Sequence, residues 1–453
     1  MKNLSISLSG IALALVALSL HAAVPADQAA RLESSLTPVG AERSANQNGS
    51  IPSWSGGLKG KAGTVDAFGH LSDPFASESP LFIITAKNVE QYRDKLSEGQ
   101  LALFKRYPNS FQMPVYPTHR TASVPEPVAQ SIRQNATSAS LMEGGNGLKG
   151  FSTAIPFPIP QNGIEVVWNH IARYRGGSVQ RTIMQTAPLV DGSYVPVTMS
   201  QWFTYRDNVK DFDPANPGNV LFYYMQAITS PARLSGNVLL VHETLDQVKE
   251  PRKAWIYTAG QRRVRRAPQV AYDGPSPGAE GQRVADNTDM YNGSPDRYEW
   301  TLIGKQELYI PYNAYKLQSP ELKYDEIIKP GHINSNLTRY ELHRVWVVEA
   351  KLKEGERHVY AKRKLYIDED SWQIVVAEHY DARGDLWRVG EGFITQIYDK
   401  QIPWLSVEAL YDLHNGRYVV SGLRNEERSR MDFGTVSSSS DYTPSALRQV
   451  GIR

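Results

Sequence analysis

Residues 340–391 constrain the fold more than any other stretch. They read "YELHRVWVVEAKLKEGERHVYAKRKLYIDEDSWQIVVAEHYDARGDLWRVGE". Apolar and aromatic residues recur at alternate positions, the period of a strand with two different faces. Turn residues break the run at Lys353–Glu356, Glu369–Ser371 and Ala382–Gly384. The stretch therefore predicts four strands of about seven to nine residues in an antiparallel meander.

The same signal fills most of the chain after residue 164. Strands are expected over "EVVWNHIARYRG" (165–176), "WFTYRD" (202–207), "NVLFYYMQAI" (219–228) and "NVLLVHETL" (237–245), with a hairpin in "RKAWIYTAGQRRVRRAP" (252–268). Helices are few. One is predicted over 85–107, capped by Thr85 and stopped by Pro108, with Gly99 weak enough in its middle to split it in two. A weaker one covers 126–141. A short one lies in "SPELKYDEIIKPG" (319–331), with Ser319 as cap and Pro320 in its first turn. Three prolines in "AIPFPIPQNG" (154–163) divide an N-terminal arm with helices (23–160) from a β-rich part (161–453). The two are expected to form one compact unit, with a helix near 319–329.

The first residues, "MKNLSISLSGIALALVALSLHA", carry Lys2, an apolar run and small residues. This pattern reads as a secretory signal peptide over 1–22, cut after Ala22. No later run is long and apolar enough to span a bilayer as a helix, so the expectation is a soluble, exported, periplasmic chain. The chain has no cysteine, which removes disulfides, thiolate metal sites and cysteine nucleophiles. It also removes the acylated cysteine that a lipoprotein needs.

Charge is nearly balanced, at +2, but locally uneven. Residues 249–266 hold seven Lys or Arg against one acid, Glu250, and "GQRRVRRAP" packs four arginines around one valine. Export and near-neutrality argue against nucleic acid. A two-residue loop at Ala259-Gly260 would pair Thr258 with Gln261, Tyr257 with Arg262, Ile256 with Arg263 and Trp255 with Val264. Trp255, Tyr257, Arg262, Val264 and Arg266 then share one face, and Arg263 and Arg265 the other. The first face mixes aromatic area with guanidinium groups, a surface that can hold an apolar ligand and its carboxylate or phosphate. It is the candidate ligand-binding set. Arg263 and Arg265 are candidates for contact with a lid helix, or for pairing with acids in "DNTDMYNGSPDRYEW" (286–300). With 24 Tyr and 9 Trp, the composition suits an accessible apolar groove, and equally a sugar-binding surface.

Motifs for other chemistry fail on inspection. "GNGLKG" (145–150) follows no strand and opens no helix, so the dinucleotide reading lacks its context. "GPSPG" (274–278) has Pro277 where a serine hydrolase needs a backbone N–H donor. "HETLD" (242–246) lacks the second histidine of a zinc protease. Asp368 and Asp370 in "IDEDS" stand two apart as in a calcium loop, but the following Gly and distal Glu are missing, and a hairpin turn explains them. No catalytic residue, metal or cofactor is assigned.

Several long blocks resemble one family. "LTPVGAERSANQNGSIPSWSGGL", "LFKRYPNSFQMPVYPTHRTA", "PFPIPQNGIEVVWNH", "RKAWIYTAGQRRVRRAPQVAYD", "NGSPDRYEWTLIGKQELYIPYNAY" and the 340–391 stretch are similar to the proteobacterial domain-of-unknown-function 1329 family across nearly the whole mature chain. The resemblance implies an α+β, mainly antiparallel fold like the LolA/LolB lipoprotein carriers: a strongly curved, incomplete barrel with helices in its mouth and an apolar cavity. It also implies partners, an outer-membrane protein and an exporter of the resistance-nodulation-division type. In lipoprotein carriers a cavity arginine holds the helical lid. Here one of Arg262–Arg266 is expected in that role, with helix 85–107 or 319–329 as the lid. The long N-terminal arm departs from those carriers. The functional expectation is a non-catalytic carrier or chaperone for a lipid or other hydrophobic molecule. The alternatives are an envelope scaffold with a plugged cavity, or an enzyme acting on a glycan or ester.

Overall fold

The computed structural model describes residues 23–247 and 249–452, so the expected signal peptide lies outside the described residues. Along them run β1 Phe82–Thr85, β2 Gln112–Val115, β3 Ser140–Leu141, β4 Leu148–Lys149, β5 Ser178–Thr186, β6 Val197–Tyr205, β7 Val220–Ser230, β8 Val238–Thr244 and β9 Lys253–Thr258. There follow β10 Arg263–Arg266, β11 Tyr298–Pro311, β12 Tyr340–Leu352, β13 Lys362–Asp368, β14 Ile374–Tyr380, β15 Leu386–Ile397, β16 Ile402–Asp412, β17 Tyr418–Leu423 and β18 Asp432–Phe433. The α-helices are α1 Ala26–Ala29, α2 Glu98–Arg106, α3 Glu126–Ser138, α4 Gly163–Ala172, α5 Tyr324–Ile327 and α6 Pro444–Ile452.

Sixteen of these strands form one sheet, in the order β1-β2-β12-β13-β14-β15-β16-β17-β5-β6-β7-β8-β9-β10, with β11 beside β12 and β18 beside β5. The expected meander is β12 to β15. A second antiparallel meander, β5 to β10, is joined to the first through β17 and β5. The sheet is curved and does not close, and the fold is α+β as the sequence implied.

Register sorts the side chains into two faces. Val348, Leu365, Ala377, Gly390, Leu410 and Val419 are paired in turn across β12–β17. α4 packs on this face, which we call inner, burying Val166, Val167, Trp168 and Ile171 with Leu365, Ile367, Ile374 and Ala377. The alternate positions, Val347, Tyr366, Val376, Glu391, Ala409 and Val420, point to the outer face. There α2, α5, β1 and β2 bury Leu103, Phe104, Ile327, Ile84 and Met113 over Val389, Phe393, Ala409 and Val420.

Three helix expectations change. Residues 165–172, expected as a strand, form most of α4. Asn162 Oδ1 accepts from the Glu165 N–H (3.1 Å), and the Glu165 carboxylate accepts from Asn162 Nδ2 and the Gln161 N–H (2.7 Å each), a cap that fixes the helix start. The helix is buried on every side, so its sequence shows no helical stripe, and its Val and Trp content imitates a core strand. The expected helix over 85–107 is divided: Thr85 ends β1, and α2 begins only at the Ser97–Gln100 capping box. Its Gly99 sits against β14 and β15, the N–H donating to Glu378 Oε1 (2.7 Å), where a Cβ would lie 2.9 Å from Val389. The short helix is α5, starting at Tyr324 rather than Pro320, because Glu326 Oε2 accepts from the Lys323 N–H (2.8 Å) and fixes the helix start.

The N-terminal arm is stitched to the sheet by charge. Arg120 Nε and Nη2 donate to the two oxygens of Asp370 (2.8 and 2.7 Å), and Nη2 also donates to the Glu42 carbonyl (2.7 Å). Lys305 bridges Glu42 (3.0 Å) and Glu369 (2.7 Å). Asp368–Ser371 make the β13–β14 turn, with Ser371 donating to Asp368 Oδ2 (2.6 Å from Oγ). Among the described residues no helix is long and apolar enough to cross a membrane.

Candidate functional site

The inner face of the second meander carries an uncommon row. Arg181 on β5 is paired with Gln201 on β6, Gln201 with Gln226 on β7, Gln226 with Leu239, Leu239 with Ile256 and Ile256 with Arg265. Two residues along, Val179 is paired with Phe203 and Phe203 with Tyr224. Hydrogen bonds lock the polar row. Arg181 Nε donates to Gln201 Oε1 (2.9 Å), Gln201 Nε2 to Tyr224 Oη (2.9 Å), and Tyr224 Oη to Gln226 Oε1 (2.7 Å).

These strands form one wall of a cavity. β16 and β17 form a second, with Trp404, Leu405, Ser406, Glu408, Ser421 and Gly422. The residues just past α4, Arg173 and Arg175, close it together with Arg283, Thr288, Asp289 and Asn292. The cavity itself holds about 110 Å³, less than a typical drug-sized site, and opens to solvent at its mouth.

The cavity wall is charged and aromatic. Asp289 takes a left-handed backbone (φ 60°) and presents its carboxylate to two arginines: Arg173 Nη1 and Arg175 Nη1 donate to Oδ2 (2.9 and 2.8 Å), and Arg173 Nη2 donates to Oδ1. Burial works to raise this carboxyl, but the two guanidinium groups overcome it and hold it well below the usual carboxylate range. Arg175 also lies 4.3 Å from the Phe203 ring centre. Arg283 Nη1 donates to Glu408 Oε1 and Nη2 to Gln185 Oε1 (2.6 Å each), while Glu408 Oε2 accepts from the Met290 N–H (3.0 Å). Burial raises the Glu408 carboxyl despite Arg283. Arg181 differs from the other three. It stacks 4.9 Å from the Trp404 ring centre and, among the described residues, has no carboxylate within ion-pair distance. Burial lowers its pKa. Four arginines thus face two carboxylates: Arg173 and Arg175 share Asp289, Arg283 pairs with Glu408, and Arg181 has no carboxylate partner among the described residues.

The arginine hairpin lies elsewhere. Thr258 is paired with Arg263, Tyr257 with Val264, Ile256 with Arg265 and Trp255 with Arg266. The expected register is therefore two residues out, because the loop runs through Ala259–Gln261 and Arg262, which turns with φ 50°. A shift of two keeps the faces. Trp255 continues the row Trp202–Met225–Leu240 on the outer face. There Trp255, Tyr257 and Val264 pack with Tyr442 and Leu447 around α6. Tyr257 is fully buried, and Arg266 lies 5.7 Å from the Trp255 ring centre. Arg262, Arg263, Arg265 and Arg266 are exposed on the edge strand. Trp255, Tyr257, Arg262, Val264, Arg266, Arg263 and Arg265 do not line the cavity. Nor do the acids of 286–300 meet the hairpin: Asp286 binds Arg363 and His358, and Asp289 binds Arg173 and Arg175. α2 and α5, the two lid candidates, lie on the outer face.

Sequence reasoning missed Arg173, Arg175, Arg181, Arg283 and Trp404. Four arginines spread over more than a hundred residues make no visible knot. One signal was available. In "SVQRTIMQT" Arg181 shares strand parity with Val179 and Ile183, which marks an arginine on an inward-facing row.

The family described as "Protein of unknown function (DUF1329)" matches residues 83–448, and the chain belongs to it. It is 62% identical over 443 residues to Uncharacterized protein PA3922 of Pseudomonas aeruginosa, covering 98% of this chain and 97% of that one. Among solved structures it is similar to a Vibrio parahaemolyticus domain whose name places it in outer membrane lipoprotein sorting (16% identity, TM-score 0.43, 63% of this chain and 98% of that one). It is also similar to the LolA superfamily protein NE2245 of Nitrosomonas europaea (15%, TM-score 0.37, 62% and 98%). Likeness at that level identifies neither cargo nor partner for this chain.

Proposed function

We propose that this protein is a non-catalytic periplasmic carrier for a lipid or other hydrophobic molecule. One observation carries the reading: the inner face of an open, curved sheet encloses a cavity that is walled by Phe203, Phe222, Tyr224, Trp404 and Leu405 and remains open at a mouth. The reading takes residues 1–22 as a secretory signal peptide that directs the carrier to the periplasm. An outer-membrane protein and a resistance-nodulation-division exporter are the partners that the family resemblance suggests. The exposed arginines of β10 offer them, or an anionic ligand, a positive edge.

A second reading has one observation in its favour. Two carboxylates in the cavity wall are shifted in opposite directions, Asp289 down and Glu408 up, a pattern that suits acid–base work on a glycan or ester. Against it, every oxygen of both groups already accepts a bond from the protein. The carrier reading is tested by native mass spectrometry of protein purified gently from its own host. A bound amphiphile, displaced by added fatty acyl probe, is the expected result. An empty chain that takes up no probe contradicts it. Turnover of a glycan or ester abolished by Glu408→Gln would favour the second reading.

A further inference from the structure

The polar end of the cavity says what kind of hydrophobic molecule the carrier takes. Nε of Arg181 is held by Gln201, and its flat face rests on Trp404. Among the described residues its two Nη atoms meet no acceptor, and the residue lines the cavity. A guanidinium fixed at one nitrogen and on one face, with its outer fork free, is preorganised for a planar or tetrahedral oxyanion.

A second arginine strengthens the field. A narrower cleft continues past Arg181, Trp404 and Ser406 to Arg424 and His70. Arg424 is buried and donates only to neutral acceptors, the carbonyls of Phe68 (2.9 Å) and Ser429 (3.1 Å) and the Met431 sulfur. Burial, with Arg181 next, lowers its pKa to about 10. Two arginines without carboxylate partners, Arg424 buried and Arg181 partly buried, are costly unless a negative charge joins them.

We propose that the ligand is an anionic amphiphile, a carboxylate or phosphate monoester on an apolar chain or ring, whose head group binds the free fork of Arg181 while its apolar part lies against Phe203, Phe222 and Tyr224. The inference rests on the carrier reading and adds the charge of the cargo. Arg173, Arg175 and Arg283 are not available for the head group, because Asp289 and Glu408 already occupy them. Arg181 is therefore the specificity-determining residue, and Arg424 supports it through its field.

Calorimetric titration of the mature protein with decanoate, decyl phosphate, decanol and inorganic phosphate tests this. Decanoate and decyl phosphate are expected to bind about tenfold or more tightly than decanol, the ratio that one charged hydrogen-bonded contact supplies. Arg181→Gln should lower affinity for both anions by about tenfold or more and leave decanol unchanged, with Arg181→Lys in between. Salt dependence gives the same answer without a variant: anion affinity of the wild type falls with added salt, and decanol affinity does not. Equal binding of decanol and decanoate, without salt dependence, overturns the anionic cargo and leaves the carrier standing. Inorganic phosphate binding as tightly as decyl phosphate makes this a free-anion site and overturns the amphiphile. No binding of any decyl compound overturns the carrier reading and the inference together.

Discussion

Asp289 is the carboxylate on which the charged cavity wall depends, and Asp289→Asn is the sharpest perturbation of it. Asparagine tolerates the left-handed backbone at this position (φ 60°) and is nearly isosteric, so the change removes charge and little else. Three charge-assisted hydrogen bonds, from Arg173 and Arg175, lose their anionic acceptor. Two buried guanidinium groups are then left without a carboxylate beside Arg181, which lacks one already. Removing one partner from a buried ion pair typically destabilises by about 3–5 kcal/mol. For roughly 430 residues unfolding together at about 2.1 cal/mol/K per residue, that corresponds to a fall in Tm of about 3–6 °C.

The sign of its pH dependence follows from linkage. Asp289 is held below its ordinary carboxyl pKa in the folded chain, so its contribution is present above the unfolded value, near 3.8, and is lost as pH falls below it. The gap between wild type and variant should be full at pH 7 and shrink in acid. Thermal unfolding followed by circular dichroism measures both. Decanoate, which restores a negative charge to the cavity, should raise the Tm of the variant more than that of the wild type. A variant with unchanged Tm at pH 7 and no extra rescue would refute the claim that these arginines are desolvated.

Further predictions follow from single groups. Burial pushes Glu391 up to about 7, with Tyr340 Oη as its donor (3.0 Å). The folded state therefore holds a proton that the unfolded chain releases near 4.5, and stability falls as pH rises from about 4.5 to 7. Glu391→Gln, which keeps an acceptor for Tyr340, should flatten that fall and gain up to about 3 kcal/mol at pH 8, read by urea denaturation at pH 5 and pH 8. Arg263→Glu with Arg265→Glu should change stability by about 0.5 kcal/mol or less, because both side chains are exposed and lack carboxylate partners. Arg262→Glu with Arg266→Glu should lose in addition the contact of Arg266 with Trp255, worth about 0.5–1 kcal/mol. Neither pair should alter cavity binding in the decyl titration. A loss of ligand affinity in either would return the hairpin to the binding site.

The sheet was legible in the sequence because its strands alternate. The meander from β12 to β15 follows its period-two pattern, and the hairpin of β9 and β10 kept its faces although its loop is longer than expected. α4 was not legible, since a helix buried all round has no stripe, and Val166, Val167, Trp168 and Ile171 suit a core strand equally well. The sequence reading set arginine against aromatic rings in the β9–β10 hairpin, whereas the cavity sets Arg175 and Arg181 against Phe203 and Trp404. A run such as Arg262–Arg266 stands out because its charges are adjacent, yet adjacency on an edge strand leaves them in solvent. Arg173, Arg181 and Arg283 meet only through the pairing of β17 with β5 and the return of residues 283–292 across the sheet. Those contacts are long-range, and no local pattern encodes them.

The central claim is that cargo lies on the inner face, between β5–β7 and β16. Photo-crosslinking with a decanoate analogue bearing a terminal diazirine, followed by peptide mass spectrometry, tests it most directly. The account predicts label on the peptides carrying Phe203, Phe222 and Tyr224, suppressed by excess decanoate and by Arg181→Gln. Label concentrated on Trp255, Tyr257 or the β10 arginines, and unaffected by Arg181→Gln, would contradict it.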